Sequence, residues 1–259
     1  MLFLALIGSA IFFYDSFYSE HTSVEDSKDR LSSQKIFSKE EKLSINSGEF
    51  IQIPNRDGLN PKTGRDFYMM LWLKSKRYPV ADQRMLLFNK IDGSTKPLGY
   101  AFGISRYDND FYPQVYWRGP KKGRWFSFSK FFPKPKRWYG FLISYTENAY
   151  LGLHLLRADG DSIDVKKLGG QIVENVRPES AGDLFIGSLH NKHFLGNIAK
   201  FLAFAPSPEE HSLKDVLERI KNSPEIDFSD YEDMNPVLYL DTKSMKDLVS
   251  NQELALKQH

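Results

Sequence analysis

The chain has 259 residues, 41% of them hydrophobic and 26% charged, which is enough apolar content for a sizeable core and excludes a chain disordered throughout. The formal net charge is +2, so no global field points to nucleic acid, and the absence of cysteine excludes disulfides, thiolate metal sites and cysteine nucleophiles. Aromatic residues reach 14%, mostly Phe and Tyr, a bias towards strands.

The first segment is apolar. Leu2, Phe3, Leu4, Leu6, Ile7, Ile11, Phe12 and Phe13 belong to a run from Leu2 to Tyr14 that holds no charged residue. Extended past Asp15 to Tyr18, it would make a helix about 27 Å long, close to the hydrocarbon thickness of a bilayer. Phe12, Phe13, Tyr14, Phe17 and Tyr18 would form an aromatic belt at its outer end. Residues 1–18 are therefore expected to be a single-pass membrane anchor. A cleaved signal peptide, with Gly8-Ser9-Ala10 as the small-residue site but no basic leader, is one alternative; a buried core element is another. No Lys or Arg precedes Lys28, which places the bulk of the chain outside the cytoplasm, in a periplasm or beyond the cell. Residues 19–44 are charged and Ser-rich and read as a solvated tether.

From residue 45 to 205 the pattern changes to strands. Short apolar or alternating runs cover Phe50–Ile53, Phe67–Lys74, Met85–Lys90, Tyr100–Ser105, Gln114–Arg118, Trp125–Ser129, Trp138–Tyr145, Gly152–Leu156, Leu184–Ile186 and Ile198–Ala205. Between them lie turn clusters such as Asn55-Arg56-Asp57-Gly58 and Tyr107-Asp108-Asn109-Asp110. Many short strands with few intervening helices predict an all-β sandwich or barrel. No βαβ rhythm, Walker A loop or dinucleotide fingerprint interrupts the pattern.

Residues 206–259 form an extension. Ser207 as N-cap, Pro208 in the first helical position and Glu210 completing a capping box predict a helix that ends before Pro224, with Leu213, Val216, Leu217 and Ile220 on one face. Val237–Leu240 reads as a further strand, and Ser244 onward as a short helical tail packing on the sandwich.

The order of these pieces resembles the laminin-G-like jelly rolls of the concanavalin A-like lectin and glucanase superfamily. Gly48, Phe50, Ile53 and Pro54, followed by Phe67 and Trp72, match the two opening strands; Trp138 and Gly160 match the tryptophan hairpin; Gly187, Phe194, Gly196 and Ile198 match the closing motif. The resemblance covers roughly 160 residues and implies a two-sheet antiparallel jelly-roll sandwich whose late strand pairs with its first. It departs at Ala199, where the family pattern commonly has an acid.

Enzymes on this fold carry paired carboxylates on one strand. Glu225, Asp227 and Asp230 imitate that spacing but follow the helix, in an acidic stretch beside Pro224, so they read as a solvated loop and no catalytic residue is assigned. His190 and His193 lack a third ligand and read as loop residues. Calcium is the cation such turns could hold, first at Asp108 and Asp110, second at Asp159 and Asp161. The most unusual segment runs from Phe111 to Tyr145. It contains Tyr116 and the bases Arg118, Lys121, Lys122, Arg124, Lys130, Lys134, Lys136 and Arg137, with no acid between Asp110 and Glu147. A single basic surface with exposed rings would suit an anionic envelope component or an acidic protein face. The expected function is a non-catalytic, membrane-tethered recognition module, an accessory subunit docking on a partner protein. A lectin-like glycan binder is the alternative, and a glycoside hydrolase a third class.

Overall fold

A computed structural model of the chain describes residues 42–95, 97–120, 123–131, 133–134, 136–159, 162–173, 177–187, 194–223 and 226–258. The segment read as a membrane anchor lies outside them, as do most of the tether, Lys121, Lys122, Asp161, His190, His193 and Glu225. No described helix is long and apolar enough to cross a membrane.

Strands dominate. In chain order they are β1 (Leu43–Ile45), β2 (Glu49–Ile53), β3 (Phe67–Ser75), β4 (Arg84–Ile91), β5 (Gly99–Tyr107), β6 (Asp110–Arg118), β7 (Gly123–Ser127), β8 (Trp138–Tyr145), β9 (Tyr150–Asp159), β10 (Ser162–Ile172), β11 (Leu184–Ile186), β12 (Gly196–Phe204), β13 (Pro236–Asp241), β14 (Lys246–Asp247), β15 (Gln252–Glu253) and β16 (Leu256–Gln258). One α-helix, α1 (Leu213–Asn222), and a 3-10 turn (Phe228–Met234) lie between β12 and β13.

The strand β3 dictates the layering. Phe67, Met69, Leu71 and Leu73 alternate with Tyr68, Met70 and Trp72, and all seven are buried. A strand apolar on both faces must be covered on both. One layer is β10-β9-β8-β3-β12-β13-β14-β15, with β1 also paired to β12, and the facing layer is β16-β2-β11-β4-β5-β6-β7; every pairing is antiparallel. Between them Phe102 meets Phe141 at 5.1 Å, Phe88 meets Phe201 at 5.3 Å and Trp117 meets Tyr145 at 4.6 Å between ring centroids. Across the other face of the first sheet, Tyr68, Met70, Trp72, Leu142, Leu202 and Phe204 pack with Val216 and Ile220 of α1 and with Ile226, Tyr231 and Met234. The result is a sheet–sheet sandwich with a helical cover on one side.

Each of the ten predicted sandwich strands is present. The structure adds β10, whose Lys166-Lys167 and Gly169-Gly170 hide its alternation; it is an edge strand, and its register shifts between Lys167 and Gly169. It also starts β1 at Leu43, inside the segment read as tether. The helix begins later than predicted: Ser207 heads a turn, with Glu210 N and His211 N both donating to its carbonyl, and the capping box is Ser212 with Asp215. Beginning there sets Val216 and Ile220 against the sheet. The predicted helical tail is not helical. Residues 246–258 form β14, β15 and β16, and β16 supplies the late strand that pairs with β2, whereas β13 pairs with β12.

Two buried charges staple the ends. The Lys90 ammonium, without exposed surface, donates to Asn55 Oδ1 (2.6 Å), the Ser180 carbonyl (2.7 Å) and the Gly182 carbonyl (2.8 Å). Burial lowers its pKa to about 8, against the pull of Asp183. Asp247, equally buried, pairs with Arg56 and accepts from the Tyr239 and Val249 amides. Buried charges persist where partners of this kind surround them.

Candidate functional site

Antiparallel pairing fixes which side chains share a face. On β4 to β7 the registers Arg84↔Ser105↔Tyr112, Leu86↔Gly103↔Gln114↔Ser127 and Ala101↔Tyr116↔Trp125 define three cross-strand rows on the side turned away from the core. No described helix or strand packs over these rows.

A connected polar line runs across this face. Arg84 Nε donates to Gln114 Oε1 (2.8 Å) and Ser105 Oγ (3.1 Å); Ser105 Oγ donates to the same Gln114 oxygen (2.7 Å); Gln114 Nε2 donates to Ser127 Oγ (2.8 Å). Aromatic side chains flank it. Trp125 lies with its ring 3.7 Å from the Arg84 guanidinium carbon and 5.3 Å from the Tyr116 ring, while Tyr107 and Tyr112 pair at 5.8 Å. Gly103 keeps the middle low: a Cβ there would stand 2.6 Å from the Met85 carbonyl oxygen. Ser105 and Gln114 are buried beneath this layer, while Tyr107 is 46% exposed. Burial lowers the Arg84 pKa, with Tyr107 acting the other way. The guanidinium, fixed on two acceptors and one ring, is held in place before any ligand arrives.

The arrangement offers the rings of Trp125, Tyr107 and Tyr112 beside an oriented guanidinium and the exposed Ser127 hydroxyl, with buried Ser105, Gln114 and Tyr116 as the frame beneath. Such groups hold a polyhydroxylated ring by stacking and directed hydrogen bonds. From Arg84 to Ser127 the acids are Asp92, Asp108 and Asp110. Asp92 accepts from the Ser94 and Leu98 amides of its own turn, and Asp110 accepts from Lys130 at 2.9 Å.

The structure divides the basic run. Tyr116 stands on this outer face, its hydroxyl donating to the Pro97 carbonyl (3.0 Å), and Arg118 lies over Gly123 at the end of the same strand. Arg124 stacks on Phe126 at 4.8 Å. Lys130 sits at the other end, roughly 26 Å away along β6, where Asp110 raises its pKa through a hydrogen bond. Lys134, Lys136 and Arg137 precede β8 and meet different neighbours: Lys136 N donates to the Ser75 carbonyl (2.9 Å), which brings Lys74, Lys76 and Arg77 alongside. So the one surface expected from the sequence is two regions at opposite ends of the sandwich.

The calcium expectation fares differently. Asp108 takes a left-handed turn conformation (φ 53°), and its carbonyl accepts from Arg106 Nε at 2.7 Å. With Asp110 committed to Lys130, the turn gathers few ligands, and no group of three or more His, Asp or Glu able to hold a metal occurs among the described residues. Asp159 ends β9. Asp227 caps the 3-10 turn that contains Asp230, with Asp227 N donating to Asp230 Oδ2 (3.2 Å), so they do not share a strand.

Sequence reasoning singled out Tyr116 and Arg118 but passed over Arg84, Ser105, Gln114, Trp125 and Ser127. Polar residues at alternate positions of apolar strands were the available signal. What it lacked was the register that brings side chains of four strands onto one face.

The paired sheets make the fold a two-sheet antiparallel β-sandwich, the architecture that the resemblance to laminin-G-like jelly rolls implies. Among solved structures similar to the chain is tailspike protein 2 of an Escherichia coli O157:H7 bacteriophage, with 12% identity, a TM-score of 0.46, and coverage of 78% of this chain and 26% of that one. Another is the binding domain of botulinum neurotoxin serotype D, with 14% identity, a TM-score of 0.43, and coverage of 68% and 40%. The LG4-5 domains of the mouse laminin alpha1 chain show 11% identity, a TM-score of 0.39, and coverage of 62% and 40%. The chain thus spans well under half of each. No protein-family model and no curated protein matches the sequence.

Proposed function

We propose that this chain is a non-catalytic recognition module that binds a glycan on the outer face of the seven-stranded sheet. The observation that carries the reading is the Arg84–Ser105–Gln114–Ser127 line set between the Tyr116–Trp125 and Tyr107–Tyr112 pairs. Aromatic planes take the apolar faces of sugar rings, the exposed Ser127 hydroxyl takes a sugar hydroxyl, and the guanidinium, held from below by buried Ser105 and Gln114, favours chains with acidic units. Display at a membrane by residues 1–18 belongs to the same proposal; release of the full-length chain from membranes by an alkaline wash would remove it. An oligosaccharide array, run with calcium and with chelator, tests the binding. Neutral or acidic chains should bind in both conditions, and Trp125→Ala should weaken them about tenfold, the scale of one stacking contact. Silence on the array, or binding indifferent to Trp125→Ala, overturns the proposal.

A second reading rests on the regrouped bases. Lys74, Lys76, Arg77, Lys134, Lys136 and Arg137 cluster where the Lys136 amide meets the Ser75 carbonyl, and an acidic protein partner would fit that end. A pull-down in mild detergent that recovers the chain alone, at low and at physiological salt, removes it.

A further inference from the structure

On the opposite side of the molecule, away from the glycan face, β12 contains an extra residue. Its register against β3 runs Ile198↔Leu73 and then Lys200↔Trp72, leaving Ala199 unmatched. Without that bulge Lys200 would fall on the same face as Ile198, in the core between the sheets. With it, Lys200 shares the outer face with Trp72. The bulge is needed to keep a charge out of the core, and it also sets the lysine on the floor of a cleft.

The cleft has a volume of about 350 Å³. Its floor is Ala199 and Lys200 with Tyr239 and Leu240 of β13; Asp227, Phe228 and Ser229 form one wall, and Thr242, Lys243 and Leu248 the other. Thr242 Oγ1 donates to the Ala199 carbonyl (3.0 Å), tying that wall to the bulge. This size lies at the small end of the range for small-molecule sites.

Lys200 is 8% exposed, and its ammonium is sparsely met. One N–H reaches Tyr239 Oη at 3.3 Å, and that hydroxyl spends its own proton on the Ile226 carbonyl (2.8 Å). The Asp227 carboxylate stands 3.8 Å away, beyond hydrogen-bond range, on a side chain 58% exposed. Two ammonium donors are therefore left without a described protein acceptor. The other acid of the lining is committed: Asp241 accepts from the Lys243 amide (3.0 Å) and from Ser244 Oγ. Phe228, stacked edge-on to Tyr239 at 5.2 Å, and Leu248 at the rim supply apolar walls.

We infer that this cleft binds a small carboxylate with an apolar or hydroxylated tail, its head group on Lys200 Nζ and its tail along Phe228 and Leu248. The anion takes the donors that the protein leaves unmet, and Asp227 is the internal rival that partly shields the lysine in its absence. Ligand affinity is then set by two residues of opposite sign, and removing Asp227 should help rather than harm.

The test is titration of the full-length chain with hexanoate, hexanamide and hexylamine, followed by backbone amide shifts in two-dimensional NMR; the same spectra report folding. Hexanoate should saturate shifts at Ala199, Lys200 and Thr242, with hexanamide and hexylamine at least about tenfold weaker, because a charged head group on a half-desolvated lysine contributes on that scale. Lys200→Met should abolish saturation. Asp227→Asn, on an exposed side chain, should tighten hexanoate several-fold. Trp125→Ala should change nothing here, which separates this site from the glycan face. Equal response to hexanamide, preference for hexylamine, saturation retained in Lys200→Met, or weaker binding in Asp227→Asn would each overturn the inference.

Discussion

His154 and Lys90 are both buried bases, yet the chain treats them differently. Lys90 has three oxygen acceptors within 2.8 Å. His154, on β9, is 3% exposed, and its Nδ1 has no hydrogen-bond partner. Burial lowers the imidazole pKa from 6.5 to about 4, with the nearby Lys167 adding to the effect. The sign of the linkage follows. Between pH 6.5 and 4 the unfolded chain takes up a proton that the folded chain refuses, so stability falls as pH drops through that window and levels out below it. The loss for this one group should approach roughly 3 kcal/mol, and His154→Gln should remove that part of the slope. Urea midpoints of both proteins at pH 7 and pH 4.5 check it; an unchanged difference between the two pH values in the variant would show that His154 is not the group responsible. Neither burial was legible beforehand. His154 looks like any polar residue on an alternating strand, and only Leu142 and Lys167 on the neighbouring strands, with α1 beyond them, give it its surroundings.

At the scale of elements, legibility tracked burial. Strands such as β3, β8 and β12 hold long runs of buried residues, so their apolar pattern is dense and survives reading one residue at a time. The edge strand β10, with seven of its eleven residues polar, charged or glycine, carries too little pattern to be seen. The helix start shows a different limit. Ser207 with Glu210 and Ser212 with Asp215 both satisfy the capping-box rule, and local chemistry does not rank them. Contact with the sheet does: α1 begins where Val216 and Ile220 reach the outer face. Ser212 accepts from the Asp215 amide at 3.4 Å and donates its own amide to Asp215 Oδ2 at 2.8 Å. Ser212→Ala should cost about 1 kcal/mol in a denaturant titration, whereas Ser207→Ala should fall within a few tenths. The reverse order would return the cap to Ser207.

For the whole molecule, the three layers and the face proposed for binding are linked. One sheet is covered twice, by the core and by α1 with its following turn, whereas the outer rows of β4 to β7 have no described element over them. The sheet face left open is the one whose side chains organise one another. The split of the basic run is also a whole-molecule effect: residues adjacent in sequence are carried apart by the length of β6 and the crossing to β8. The tail of residues 246–258 belongs to this scale as well, because it extends both sheets at once: β14 on β13, β16 on β2. Deleting it should leave two unpaired edges, and the shortened protein should self-associate in sedimentation at concentrations where the full chain runs as one species. A shortened protein with unchanged sedimentation would show that the tail is dispensable trim.

The pairing of β16 with β2 has a consequence in time. Lys257, bonded to Gln52 across 205 positions of sequence, stands beside a strand made near the start of the domain. During synthesis β2 leaves the ribosome early, and its outer partner is the last of the described strands to appear. At translation rates of about 5–20 residues per second, that edge waits roughly ten to forty seconds. Until then β2 presents open amides and carbonyls to whatever is nearby. A chain built this way depends, while it is being made, on nothing else pairing with that edge first.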